Sequence, residues 1–209
     1  MVSDKRMVDA KKAIKELKEI SKLAPKDMRL AADWGKPWQV LISTILSAQN
    51  RDEKTIEICN ILFKKYNTPE KLGDASLRDI ERVIHSINYY KTKAKHIKET
   101  AKIISKNGIP RNVGGLLELP GVGRKTANVY LAVAHKEPVI GVDTHVARLS
   151  RKLGWTNNNV REKIEKDLER LFPKAYRRQI NYVLVRFGRK FGKSKKKEDF
   201  LLKEIKKAL

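Results

Sequence analysis

Apolar residues return along this chain every three or four positions and almost nowhere every two. Met7, Ala10, Ile14 and Leu17 mark a first helix, closed by Pro25. Residues 38–49, WQVLISTILSAQ, are apolar nearly all round, the pattern of a helix buried on most sides. Ile56, Cys59 and Phe63 share a stripe, and Thr68-Pro69 opens a short helix. Ser76-Leu77-Arg78-Asp79 resembles a capping box ahead of Ile80, Val83, Ile84 and Ile87. Ala94, Ile97, Ala101 and Ile104 form the next stripe, stopped by Gly108 and Pro110. The pattern predicts further helices over 113–118, 124–135, 143–153, 160–171, 175–188 and 198–208, with Asn159-x-x-Glu162 capping the one at 160. PVIGV, 138–142, is the one strand-like piece and is too short to found a sheet. The expectation is an all-α fold of about ten helices joined by short connections.

Charge narrows the partner. Lysine and arginine number 47 against 24 acidic residues, a formal net charge of +23 in 209 residues. Such an excess repels itself in a compact chain and suits a polyanion, nucleic acid first; acidic membranes, acidic proteins or a merely lysine-rich proteome fit the same number. The single cysteine, Cys59, allows no internal disulfide and no cysteine-held iron–sulfur cluster, and its place on an apolar stripe suits a small buried hydrophobe. With no apolar run of about 18 residues and no signal peptide, the expected protein is soluble and intracellular, away from membranes. The segment RKFGKSKKK, 189–197, is either a solvated loop or a phosphate contact.

The chemistry gathers at LPGVGRKTA, 119–127. Gly121 and Gly123 permit positive φ and carry no Cβ to keep another backbone at a distance. Amides of this turn and of the helix start at 124 point to one spot, an anion site built from main chain and helix dipole. A short helix before and a longer one after make a helix–hairpin–helix unit. Gly121, Val122, Gly123 and Arg124 are therefore candidates to hold a sugar–phosphate backbone without reading bases. By itself the turn is also compatible with an ordinary glycine-rich helix start. Lys125 follows on the first helical turn, and GVDTH, 141–145, places Asp143 where another helix begins. On the residues alone, Lys125 is a phosphate-binding lysine and Asp143 a helix N-cap, and it stays open whether the hairpin only holds nucleic acid or also cuts it.

LPGVGRKTA followed by VDTH resembles the endonuclease III family of the helix-hairpin-helix DNA glycosylase superfamily. ILSAQNRD, 45–52, and INYYKTKA, 87–94, extend the likeness over most of the chain. The resemblance implies a two-lobed helical fold with the active-site cleft between lobes. Residues 30–137 would form the helical barrel with the hairpin, and 1–29 plus 138–209 the second lobe. It implies a base excision repair enzyme acting on double-stranded DNA with damaged bases, oxidised pyrimidines in the first place, or abasic sites, and it implies a monomer. A glycosylase must extrude the nucleotide, at a cost of a few kcal/mol. Lys125 would attack C1′ as the neutral amine, displace the base and form the Schiff base that lets the 3′ phosphate leave by β-elimination. Partial burial and the positive end of its helix favour the neutral amine, whereas Asp143 favours the charged one. Asp143 would accept a proton or stabilise the cationic sugar. Gln49 would fill the space of the flipped nucleotide, or is a helix-end glutamine in solvent, and His145 is either near the DNA or structural.

Two departures stand out. The family's four C-terminal cysteines are absent from GRKFGKSKKKEDFLLKEIKKAL, so no [4Fe–4S] cluster, no other metal and no other cofactor is expected. Phe187, Phe191, Phe200, Leu201 and Ile205 are the candidate apolar substitute. Tyr89 stands where the family often has a leucine wedge, and is read as stacking on DNA or as a core residue. Alternatives to the bifunctional reading are a monofunctional uracil or thymine-mismatch glycosylase, with water attacking C1′, and a non-enzymatic DNA-binding module.

Overall fold

The computed structural model describes residues 8–208. Among them lie twelve helices and no strand: α1 Ala10–Leu23, α2 Pro37–Ser47, α3 Asp52–Lys65, α4 Pro69–Asp74, α5 Leu77–Ile84, α6 Tyr90–Asn107, α7 Val113–Leu117, α8 Arg124–Ala134, α9 Thr144–Leu153, α10 Arg161–Leu171, α11 Lys174–Phe191 and α12 Lys195–Lys207. Met7, assigned to the first helix by its spacing, lies outside the described residues. The chain divides into two compact units, one formed by 29–136 and the other by 1–28 together with 137–209.

In the first of these, α2 is surrounded by α3, α6 and α8, which is why its residues are apolar on nearly every side. Val40, Leu41, Ile42, Ile45 and Leu46 are all buried. Trp34 and Trp38 both meet the ring of Phe63 edge-on, with centroids 4.7 and 5.0 Å away. Side-chain oxygens start the short helices: Thr68 accepts from the Lys71 amide, Ser76 from that of Asp79 and Asn112 from that of Gly115. Cys59 is fully buried on α3, and burial pushes its thiol up to about 12.

In the second unit α11 is the hub, packed on α1, α9, α10 and α12. Trp155 is buried against Phe172, centroids 4.8 Å apart, and its Nε1 donates to Glu16 Oε2 at 2.6 Å. Three local expectations change here. PVIGV is no strand: Ile140, Gly141 and Val142 are a buried connecting segment, and Asn181 Nδ2 donates to the Gly141 carbonyl at 2.7 Å. Asn159 does not cap α10, because its Oδ1 is taken by Arg151 Nη1 at 2.7 Å and Val160 holds the cap position without a side-chain bond. The basic run 189–197 is mostly helix, α11 continuing to Phe191 and α12 starting at Lys195 behind the Ser194 cap.

α12 is held by two kinds of contact. Phe187, Phe191, Leu202 and Ile205 are buried, whereas Phe200 is 61% exposed and Leu201 only half-buried, so the apolar share is smaller than the five residues expected. The other share is ionic. The Glu198 carboxylate is buried and accepts from Arg148 Nη1 and from Lys152 Nζ (2.7 Å), and Lys152 also reaches Asp199 Oδ1 at 2.6 Å. Burial pushes Glu198 up, but the hydrogen bonds and charges of Arg148 and Lys152 outweigh it and hold the carboxyl below its ordinary value.

Candidate functional site

The glycine hairpin occupies residues 118–123, between α7 and α8. Leu119 and Val122 are buried and anchor it, so Val122 serves the hairpin as an apolar peg, and Gly121, Gly123 and Arg124 are exposed. The Val122 amide donates to the Leu119 carbonyl at 3.1 Å, which closes the turn. Gly121 has φ +77°, and a Cβ there would lie 2.8 Å from His96 Nδ1. Gly123 is different from its expectation: its φ is −94°, which any residue adopts, and a Cβ there would meet nothing within 4 Å. Backbone shape therefore does not require a glycine here, and the space beside it is open. No side chain caps α8. Lys125, at the second position of α8, is half-buried.

Helix α6 braces this hairpin. Thr100 Oγ1 donates to the Pro120 carbonyl at 2.8 Å, and His96 packs against Gly121. At its N-terminus stands Tyr89, in the left-handed region with φ 59° and 65% exposed, which excludes the core role for this residue. Gln49, exposed beyond the end of α2, has φ 57°. The two turns are tied together. Asn88 Nδ2 donates to the Gln49 carbonyl at 2.7 Å, and the Asn88 amide donates to Asn50 Oδ1 at 2.9 Å.

One residue of this site was quoted in the sequence without a role. Lys93 is 7% exposed, and its Nζ donates to the carbonyls of Leu46 (2.9 Å) and Ala48 (2.6 Å). Burial and, after it, the charge of Lys125 bring its amine down to about 8. The signal was available: Lys93 is in phase with Ile97, Thr100 and Ile104, a lysine on the buried stripe of its helix.

Asp143 and His145 belong to the other unit. Asp143 is the N-cap of α9, its Oδ1 accepting from the Val146 amide at 2.8 Å. His145 lies one turn before Arg148, whose Nη2 is 3.4 Å from its Nδ1, and a Cβ on Gly188 would meet that same nitrogen at 2.6 Å. It helps line a hollow of about 660 Å³ shared with Arg148, Lys152, Arg189 and Lys193, with Glu198 in its wall. Among the described residues, no group of three or more His, Cys, Asp or Glu is placed to hold a metal ion. No helix there is long and apolar enough to cross a membrane.

Residues 42–174 match the family model of the HhH-GPD superfamily base excision DNA repair proteins. Endonuclease III of Thermotoga maritima is 42% identical over 160 residues, 75% of each chain. Endonuclease III of Bacillus subtilis is 38% identical over 159 residues, 73% of this chain and 72% of that one. Among solved structures, a trapped endonuclease III–DNA covalent intermediate, an estranged-adenine complex, superposes with a TM-score of 0.82 at 34% identity, covering 90% of both chains.

Proposed function

The chain belongs to the HhH-GPD superfamily of base excision DNA repair proteins and is a DNA glycosylase/AP lyase; we propose that it works bifunctionally, through a Schiff base on Lys125. The observation that carries this is the position of Lys125, on the first turn of α8 directly behind the Pro-Gly-Val-Gly turn. A phosphate on the open face of Gly123, at the uncapped positive end of α8, brings the sugar carbons of a bound nucleotide near the second residue of that helix.

The substrates are damaged bases in double-stranded DNA, oxidised pyrimidines first, and abasic sites. The neutral Lys125 amine attacks C1′ of the extruded nucleotide, the C1′–N bond breaks, and the base leaves with its electron pair and takes up a proton. Loss of a proton from nitrogen and opening of the sugar give an iminium at C1′. Removal of the C2′ proton then expels the 3′ phosphate, and water releases Lys125 from the sugar. Asp143 carries the charge work: its carboxylate, held at the start of α9 by the bond to Val146, stabilises the cationic sugar or accepts a proton. Gln49 and Tyr89 are assigned to the space left by the flipped nucleotide and to its unpaired partner. His145 is assigned to the DNA-facing cations of the second unit, and the working form is a monomer.

The donor set does not fit an iron–sulfur cluster. The lone cysteine is buried on α3 with its thiol pushed up to about 12, and residues 189–208 contain no cysteine. We infer a cluster-free enzyme in which Glu198, Arg148 and Lys152 secure the C-terminal helix. Stoichiometric iron in protein purified without oxygen would refute this.

Borohydride trapping tests the main assignment, on duplexes carrying thymine glycol, uracil or an abasic site. The expected result is a covalent adduct with thymine glycol and abasic duplexes that disappears in Lys125→Ala, while duplex binding survives within about threefold. An adduct undiminished in Lys125→Ala removes the lysine from the mechanism. Base release without any adduct turns the enzyme into a monofunctional glycosylase.

A further inference from the structure

Two candidate DNA-probing residues, Gln49 and Tyr89, stand in left-handed conformations that non-glycine residues adopt only under strain. Such turns persist only where their surroundings over-determine them. Here the surroundings are few and specific. The C-terminus of α2 is the negative end of its dipole, and the ammonium of Lys93 donates there to the carbonyl of Leu46 in the last turn and to that of the C-cap Ala48. Asn50 Nδ2 donates to the same two carbonyls, each at 3.0 Å. Asn88 then joins this knot to the turn before α6 through the Gln49 carbonyl and Asn50 Oδ1. Lys93 is one helical turn beyond Tyr89, and its amide donates to the Tyr89 carbonyl at 3.0 Å. One stripe of α6, at 93, 96 and 100, therefore carries the lysine on α2, the histidine against Gly121 and the threonine on Pro120, and the exposed Tyr89 stands at the N-cap of the same helix.

We propose that Lys93 and Asn88 are positioning residues for lesion recognition: together they lock the end of α2 to the start of α6, so that Gln49 and Tyr89 are presented to DNA as one rigid pair in fixed register with the hairpin. The proposal rests on the reading that Gln49 and Tyr89 contact DNA. Neither positioning residue touches the reacting atoms. A lysine suits position 93 because one ammonium donates to both carbonyls at once from the α6 side, which a methionine of equal length does not. The charge also works locally: Lys93 is close enough to Lys125 for the two cations to repel, so the clamp and the amine of the active site share one electrostatic neighbourhood.

The probe is a duplex with 2-aminopurine opposite a tetrahydrofuran abasic-site analogue, used with the full-length protein, and a matching duplex with a true abasic site for kinetics. Wild-type protein is expected to raise the 2-aminopurine fluorescence on binding as the opposite base is unstacked. Lys93→Met should lose most of that rise and raise KM about tenfold, with the trapping rate at saturating DNA lowered less than about threefold. Lys93→Arg should recover at least half of the rise, which a loss of packing alone would not permit. Asn88→Ala, at an exposed position, should also lose most of the rise, and it carries the test if Lys93→Met fails to fold. A wild-type rise in Asn88→Ala, or in folded Lys93→Met, would overturn the clamp. If the rise is absent in wild-type protein, or persists in a Gln49→Ala/Tyr89→Ala double variant, the underlying DNA reading falls and the clamp's purpose with it. A rise lost in the double variant but kept in the clamp variants refutes the clamp alone.

Discussion

Gly121 and Gly123 sit two residues apart in one turn and stand in different surroundings. At Gly121 the backbone is left-handed and the ring of His96 fills the place of a side chain. Gly121→Ala should therefore cost about 1–2 kcal/mol of stability, read as a lower urea midpoint, from left-handed strain plus displacement of His96. Gly123→Ala meets neither problem. It should leave stability within about 0.5 kcal/mol and weaken duplex binding, because its methyl group stands in the approach to the turn. A Gly123→Ala protein that binds as wild type would remove Gly123 from the phosphate grip. The pairing also shows what the residue pattern conveyed at this scale. Glycines in a Pro-Gly-Val-Gly run mark a turn, but the run itself does not distinguish the one that a left-handed φ requires from the one with open space beside it. Lys93 was obscured for a similar reason. A lysine on an apolar stripe is visible in sequence, whereas the two carbonyls that justify it come from residues 45 and 47 positions earlier.

At the scale of elements, the ionic anchoring of α12 has a defined pH dependence. Glu198 titrates below its ordinary value in the folded protein, so its contribution is complete above about 4.5 and is lost as pH falls through the lowered folded value. Glu198→Ala leaves Arg148 and Lys152 without their buried partner and should cost about 3 kcal/mol near neutrality. The gap between wild type and variant in urea midpoint should narrow on acidification; a gap independent of pH would show that packing alone holds α12. Helices were the most legible level of the structure, because burial on one face imposes a period that sequence displays directly. Caps written in Thr68, Ser76 and Asp143 also appear where expected. The failures have two physical causes: Arg151, outside the predicted cap, claims the Asn159 side chain, and burial makes PVIGV apolar without a neighbouring strand. The charged segment at 189–197 reads as loop by composition, yet the Ser194 cap and the Glu198 anchor let a lysine-rich stretch remain helical.

For the whole molecule, a net charge of +23 sets how it meets DNA. Binding should fall about a thousandfold between roughly 50 and 200 mM salt, the loss that accompanies about six phosphate contacts. Gel shifts or fluorescence anisotropy across that range measure the slope; a flat profile would mean that phosphate contacts do not dominate. On the proposed mechanism, catalysis at saturating DNA should change far less, since the chemistry assigned to Lys125 does not draw on the ion atmosphere. The arrangement of the two units has a different consequence, in time. Residues 29–136 are contiguous and complete their own contacts as they emerge from the ribosome, whereas α1 is made first and must wait for its partners. Its Glu16 meets Trp155, 139 residues later, and its packing surface on α11 is made later still. At about 5–20 residues per second, α1 spends about 7–30 s of each synthesis waiting before that tryptophan is added. Biosynthesis of this enzyme therefore finishes one half while the other still holds an unanswered N-terminal helix.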